Sequence, residues 1–172
     1  MSKGHNSVIV SSNPKVVEKY RTISINIAKW SELNQLRRLF ERRCSLKELL
    51  DWMHARLEFT HEDITRHNDP LEILAYGKGR CGEFSILFTA LCLAHDYKAR
   101  IVLDLSDHVW SEVWDDEQKR WVHVDPSEKR IDDPEMYERD WKKNLKEVYA
   151  FENGNIENVT ENYQLEKKSN VN

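Results

Sequence analysis

The chain has only three cysteines, Cys44, Cys81 and Cys92, and no Cys-x-x-Cys pair. An odd count without such pairs excludes a disulfide framework and a cysteine-based zinc site. Long apolar runs are also missing. Nothing approaches the ~20 residues of a membrane span. The first residues offer only Val8-Ile9-Val10, where a secretory signal needs a core of about 7–15 residues. There is no internal repeat and no low-complexity tract. What is present is the composition of one globular domain: 172 residues, 33% charged and 40% hydrophobic, enough for a single core. The expectation is a cytoplasmic protein with no membrane partner.

The net charge of −4 conceals an asymmetry: residues 1–50 hold ten Lys/Arg against four Asp/Glu, and the remainder 16 against 26. A basic half can signal nucleic acid. Here Arg37, Arg38, Arg42 and Arg43 fall beside Leu36, Leu39 and Phe40, which reads as the solvated face of an amphipathic helix, so nucleic acid is not an expected partner. Cys44 and Cys92 lie near leucines and read as reduced, buried small hydrophobes. Cys81, between glycines and an arginine, has different surroundings.

Residues 1–14 read as a flexible N-terminal arm and 164–172 as a flexible tail, leaving 15–163 as one domain. Ser45 with Glu48 forms a capping box. Leu46, Leu49, Leu50, Met53 and Leu57 then recur on one helical face. Pro70 can open a short helix to Tyr76, which Gly77 and Gly79 end. From Cys81 to about His95 the chain is apolar over most of a helical circumference, the pattern of a central buried helix. Strands are expected at 100–105, 108–114 and 119–125. Residues 134–145 read as helical or irregular. Strands at 148–152 and 156–160 flank Asn153-Gly154, a type I′ hairpin signal. Helices first and antiparallel strands after give an α+β fold, the strands joined as a meander.

Three residues carry chemistry. Cys81 is expected in the first turn of the central helix, where backbone N–H groups and the helix dipole favour a sulfur anion. Its own N–H can donate to a developing oxyanion; a second donor is expected from the helix of the 50s or the loop of the 60s. A two- or four-residue turn after Trp114 would pair Trp114 with Lys119, Glu112 with Trp121, Trp110 with His123 and His108 with Asp125. Directly opposed residues have Cβ atoms ~4.5–5.5 Å apart, so Asp125 would hold one His108 nitrogen and leave the other for Cys81. Alternation sets His108, Trp110, Glu112, Trp121, His123 and Asp125 on one face and Val109, Val113, Val122 and Val124 on the other. For Cys81 to reach His108, the central helix is expected to cover part of the imidazole face.

Read in order, GRCGEF, DHVWSEVW and RWVHVDPSE resemble the catalytic core of peptide:N-glycanases, cytoplasmic members of the transglutaminase-like superfamily. The likeness continues through Asp140-Trp141-Lys142-Lys143-Asn144-Leu145 and Val148-Tyr149-Ala150-Phe151 to the Val159-Thr160 strand. It implies a papain-like/transglutaminase-like cysteine-enzyme fold that cleaves the amide between an N-linked glycan and asparagine. It implies Cys81 as nucleophile, His108 as general base and acid, and Asp125 as the residue that orients the imidazole. It also implies Trp110, Glu112 and Trp121 as substrate-cleft residues, a glycopeptide or other amide-bearing polypeptide as partner, and no metal or cofactor. The sequence departs from the family in two places: the paired Cys-x-x-Cys zinc motifs upstream of the nucleophile are absent, and Ser127 stands where a second cysteine often follows the Asp-Pro pair. Two alternatives stay open, a thiol protease, amidase or transglutaminase on another amide, and a non-catalytic transglutaminase-like scaffold.

Overall fold

A computed structural model describes residues 11–165. The expected arm up to residue 10 and the expected tail from 166 lie outside the described residues. The remaining ends of both are tied to the body. Asn13 caps the first helix by accepting from the Val16 N–H, and Ser12 N–H donates to Glu147 at 3.1 Å. Gln164 Nε2 donates to the Leu145 carbonyl at 2.7 Å.

The helical part comes first: α1 (Pro14–Ala28), α2 (Leu33–Arg37) and α3 (Leu46–His54). The Ser45–Glu48 capping box is formed in both directions, and Leu49, Leu50 and Met53 are buried as the stripe requires. The arginine-rich stretch is not the continuous amphipathic helix expected from its sequence, because α2 ends at Arg37. Phe40 packs on Trp52 with ring centroids 4.6 Å apart and on His95 at 4.7 Å. That anchoring bends the chain inward, and Arg43, still exposed, lies 3.9 Å over the Tyr97 ring.

Then follow β1 (Glu58–Phe59), α4 (Pro70–Tyr76), β2 (Lys78–Gly79) and the central α5 (Cys81–Ala94). Asp69 caps α4, and Gly77 closes it in the left-handed region at φ 81°, the conformation that glycine adopts without a Cβ penalty. At Gly79 a Cβ would stand 2.5 Å from Glu83 Cβ, so only glycine lets β2 run into the first turn of α5. Every residue from Gly82 to Cys92 is buried.

The six-stranded sheet contains β3 (Ala99–Asp104), β4 (His108–Asp115), β5 (Arg120–Asp125), β6 (Arg130–Ile131), β7 (Val148–Glu152) and β8 (Asn155–Asn158), in the order β6-β5-β4-β3-β7-β8. The meander holds from β3 to β6. The chain then crosses through α6 (Met136–Arg139), and β7 adds to the other side of β3. Asn153 and Gly154 both have positive φ, 48° and 86°, as a type I′ turn demands.

The β4–β5 register corrects the sequence expectation. Asp115 Oδ1 accepts from the backbone of Glu117 and Gln118, and Lys119 adopts φ 55°. The four-residue loop therefore closes one pair further along, on Asp115 and Arg120, with Trp114 opposite Trp121 and Glu112 opposite His123. The shift of two residues preserves which side chains share a face. It makes His108 and Asp125 diagonal neighbours instead of direct ones.

The second correction concerns α5, which does not cover the imidazole face. It packs on the valine face: Ser85 Oγ donates to the Val109 carbonyl at 3.1 Å, and Thr89 Oγ1 meets Ser111 Oγ at 3.0 Å. Phe84, Leu87 and Leu91 fill one core with Ile101, Val109, Val113 and Val124. The imidazole face is covered by the C-terminal stretch instead. Met136, Tyr137, Leu145, Val159 and Tyr163 bury Trp110 and Val102 in a second core. Two apolar faces require two covers, and a helix as apolar as α5 suits the face rich in valine.

Candidate active site

Cys81 opens α5 and His108 opens β4, so the two come together at one end of the sheet although α5 covers the face opposite to the His108 ring. His108 Nε2 pairs with Asp125 Oδ2 at 2.9 Å. The diagonal Cβ separation of ~7–8 Å in an antiparallel pair is spanned by the length of the imidazole. That bond engages Nε2, and the Cys81 sulfur lies near enough to the ring to act on its protonation. Burial works against an imidazolium here, but the Asp125 carboxylate and the Cys81 sulfur outweigh it and raise His108 to about 10.

Asp125 is fully buried and accepts four hydrogen bonds. Oδ2 takes His108 and the Tyr137 hydroxyl at 2.7 Å. Oδ1 takes Ser127 Oγ at 3.0 Å and the Glu128 N–H at 3.1 Å. Burial pushes the carboxyl up, yet His108 first and Tyr137 after it hold it below its ordinary value. Tyr137 in turn meets His123 Nε2 at 2.8 Å, while His123 Nδ1 accepts from the Asp133 N–H at 3.1 Å. With Nδ1 accepting, His123 donates from Nε2 and Tyr137 donates onward to Asp125. Burial lowers His123 to about 4, which keeps it neutral in this chain of bonds.

Around Cys81 the wall is made by residues that carry no pattern in the sequence. Glu83, 2% exposed, accepts from the Arg80 N–H at 3.0 Å and from Arg66 Nε at 2.5 Å. This closes the first turn of α5 from an N-cap that is arginine, which no serine-based capping signal would reveal. Tyr20 on α1 and Arg66 both approach Gly82: the Tyr20 hydroxyl and Arg66 Nη2 each lie 3.5 Å from where a Cβ on Gly82 would stand. His54 Nε2 contacts the Pro126 carbonyl at 2.6 Å and its ring packs on Phe84 at 5.0 Å. Trp141, 38% exposed, sets its edge against His108 with centroids 5.0 Å apart.

The three residues expected to line a cleft are placed differently. Trp110 is fully buried, stacked on Tyr137 at 4.2 Å. Glu112 is 3% exposed and engaged by Arg100 at 2.7 Å and by the Tyr163 hydroxyl. Neither presents surface to a ligand, because the C-terminal stretch seals that face; both lie beneath the site. Trp121 is half-buried under the Arg100 guanidinium, 3.9 Å from its ring, near the far end of β4 from His108. Among the described residues no group of three or more His, Cys, Asp or Glu is disposed to hold a metal ion, and no helix is long and apolar enough to cross a membrane.

Named relatives are peptide-N(4)-(N-acetyl-beta-glucosaminyl)asparagine amidases. The one from Drosophila melanogaster is 49% identical over 98 residues, covering 57% of this chain and 16% of the relative. The one from Homo sapiens is 38% identical over 123 residues, 72% of this chain and 19% of the relative. That from Eremothecium gossypii is 42% identical over 98 residues, 57% and 28%. The chain therefore spans less than a third of the length of each of these relatives. Among solved structures, a chain of the Rad4/XPC nucleotide excision repair complex superposes with a TM-score of 0.55 at 16% identity, covering 90% of this chain and 51% of that one, a likeness of fold. A cysteine at the mouth of a buried helix, facing a histidine and aspartate from an antiparallel sheet, coincides with a family match over residues 34–126, and the chain belongs to the transglutaminase-like superfamily.

Proposed function

We propose that this chain is a cysteine-dependent amidohydrolase of peptide:N-glycanase type, cleaving the amide between an N-linked glycan and asparagine through a thioester. The observation that carries the reading is the convergence of Cys81, His108 and Asp125 in a chain related to amidases of that name. The Cys81 sulfur attacks the side-chain amide carbon, forming C–S as the carbonyl π pair moves to oxygen. Collapse breaks C–N, and the departing glycosylamine takes its proton from His108. Water, deprotonated by His108, then hydrolyses the thioester and leaves aspartate. Asp125 fixes the ring so that Nδ1 faces the sulfur, and Tyr137 with Ser127 fixes Asp125. Trp110 and Glu112 act in this scheme as supports beneath the histidine strand, and a glycopeptide is the partner.

The test is incubation under reducing conditions with a denatured high-mannose glycoprotein. Asparagine converted to aspartate with release of free glycan is expected by mass spectrometry, and Cys81→Ala should abolish it. Absence of conversion, with Cys81 still alkylated ahead of Cys44 and Cys92, would move the reading to an amidase or protease on another amide.

A further inference from the structure

The first turn of α5 supplies one N–H for an oxyanion, and a tetrahedral intermediate is held best by two donors. In the loop of the 60s and the helix of the 50s, where a second was expected, Arg66 and His54 are committed elsewhere. Arg66 Nε and Nη2 both engage Glu83, and His54 Nε2 is held by the Pro126 carbonyl. α1, which precedes the stretch matched by the family model, brings a different group. The Tyr20 hydroxyl lies 3.5 Å from the position of a Cβ on Gly82, the residue next to Cys81, and no side chain fills that position because residue 82 is glycine. The Tyr20 ring is seated against Phe151 at 6.3 Å. The hydroxyl makes no hydrogen bond among the described residues, although Tyr20 is partly buried.

We propose that the Tyr20 hydroxyl is the second oxyanion donor, a catalytic residue that α1 delivers to the nucleophile. The inference rests on the reading of Cys81 as a nucleophile. When the C–S bond forms and the carbonyl π pair moves to oxygen, that oxygen accepts from the Cys81 N–H and the Tyr20 O–H. When C–N breaks, the pair returns and the hydroxyl keeps its proton. Burial first, and the neighbouring Cys81 sulfur second, raise the phenol to about 12, so it remains a donor throughout neutral pH. An unpaired hydroxyl contributes no structural hydrogen bond, so its removal should cost function and not fold.

The test compares two reactions of Cys81 in the wild-type protein and in Tyr20→Phe, which keeps the ring on Phe151. Alkylation by iodoacetamide is a direct displacement with no oxyanion. Acylation by para-nitrophenyl acetate passes through one. The alkylation rate and the thermal midpoint should be unchanged, while the ratio of acylation to alkylation should fall about a hundredfold, the low end of what one lost oxyanion donor costs. A ratio that falls less than about threefold overturns the role of Tyr20 alone. Cys81 reacting no faster than Cys44 with either reagent in the wild-type protein overturns the nucleophile reading and this inference with it.

Discussion

Among individual residues, Asp125 is the most constrained. Four donors converge on one buried carboxylate, and each removes a degree of freedom from His108. Tyr137→Phe deletes a donor to Asp125 and an acceptor for His123 in one step. The expected result is a loss of about 1–3 kcal/mol in denaturant unfolding, the cost of leaving a buried polar group unpaired. A fall in kcat at nearly constant KM should accompany it. Unchanged unfolding would show that Asp125 and His123 find other partners. The three cysteines should also differ. Cys92 is fully buried, and that burial pushes its thiol well up, so iodoacetamide should reach Cys81 while Cys92 reacts only on unfolding. Most of this was legible in the residue types. GRCGEF, His108 and Asp125 announce themselves, and the faces of the two strands follow from alternation. Tyr137, Arg66 and Tyr20 do not, because a residue that acts by where a loop or a distant helix happens to lie leaves no periodic trace.

At the level of elements, two junctions govern the site. The first is β2 into α5, where the Gly79 hydrogen stands in for a Cβ that would meet Glu83 Cβ at 2.5 Å. Gly79→Ala must displace Glu83 or the strand, and Glu83 holds both the Arg80 N–H and Arg66. The variant should lose more of its Cys81 alkylation rate than of its thermal midpoint; wild-type reactivity would show that the first turn of α5 tolerates the shift. The second is the Ser45 cap of α3. Ser45→Ala should cost about 1 kcal/mol without altering Cys81 reactivity, since the cap lies at the opposite end of α3 from His54. The capping box and the short helix from Pro70 could be read from the chain because caps are local. The β4–β5 register was misread by two residues because it depended on how Asp115 and Lys119 close the loop. The His108–Asp125 contact survived because a two-residue shift leaves facing unchanged.

For the whole molecule, two buried histidines pull stability in opposite directions with pH. Folded His108, raised to about 10 against an ordinary 6.5, holds its proton more tightly than the unfolded chain. Its contribution is complete below about 6.5 and is lost as pH climbs through about 10. His123, lowered to about 4 from 6.5, resists protonation when folded. Its contribution is present above about 6.5 and disappears as pH falls through about 4. Carboxylates held low, Asp125 among them, add to the acid loss. Thermal midpoints should therefore peak near neutrality, and His123→Asn should flatten the acid limb. A curve level from neutrality to pH 10 would show that His108 is not held as an imidazolium. The sequence by itself determined the α+β class, the central buried helix, the two faces of the sheet and the order of Cys81, His108 and Asp125 along the chain, because caps, periodicity and motif order are properties of neighbours along the chain. Only the tertiary structure decided which face α5 covers, that the C-terminal stretch seals Trp110 and Glu112 away from solvent, and that α1 reaches the first turn of α5. Those outcomes depend on how two apolar faces share their covers, a competition settled by the packing of the whole chain.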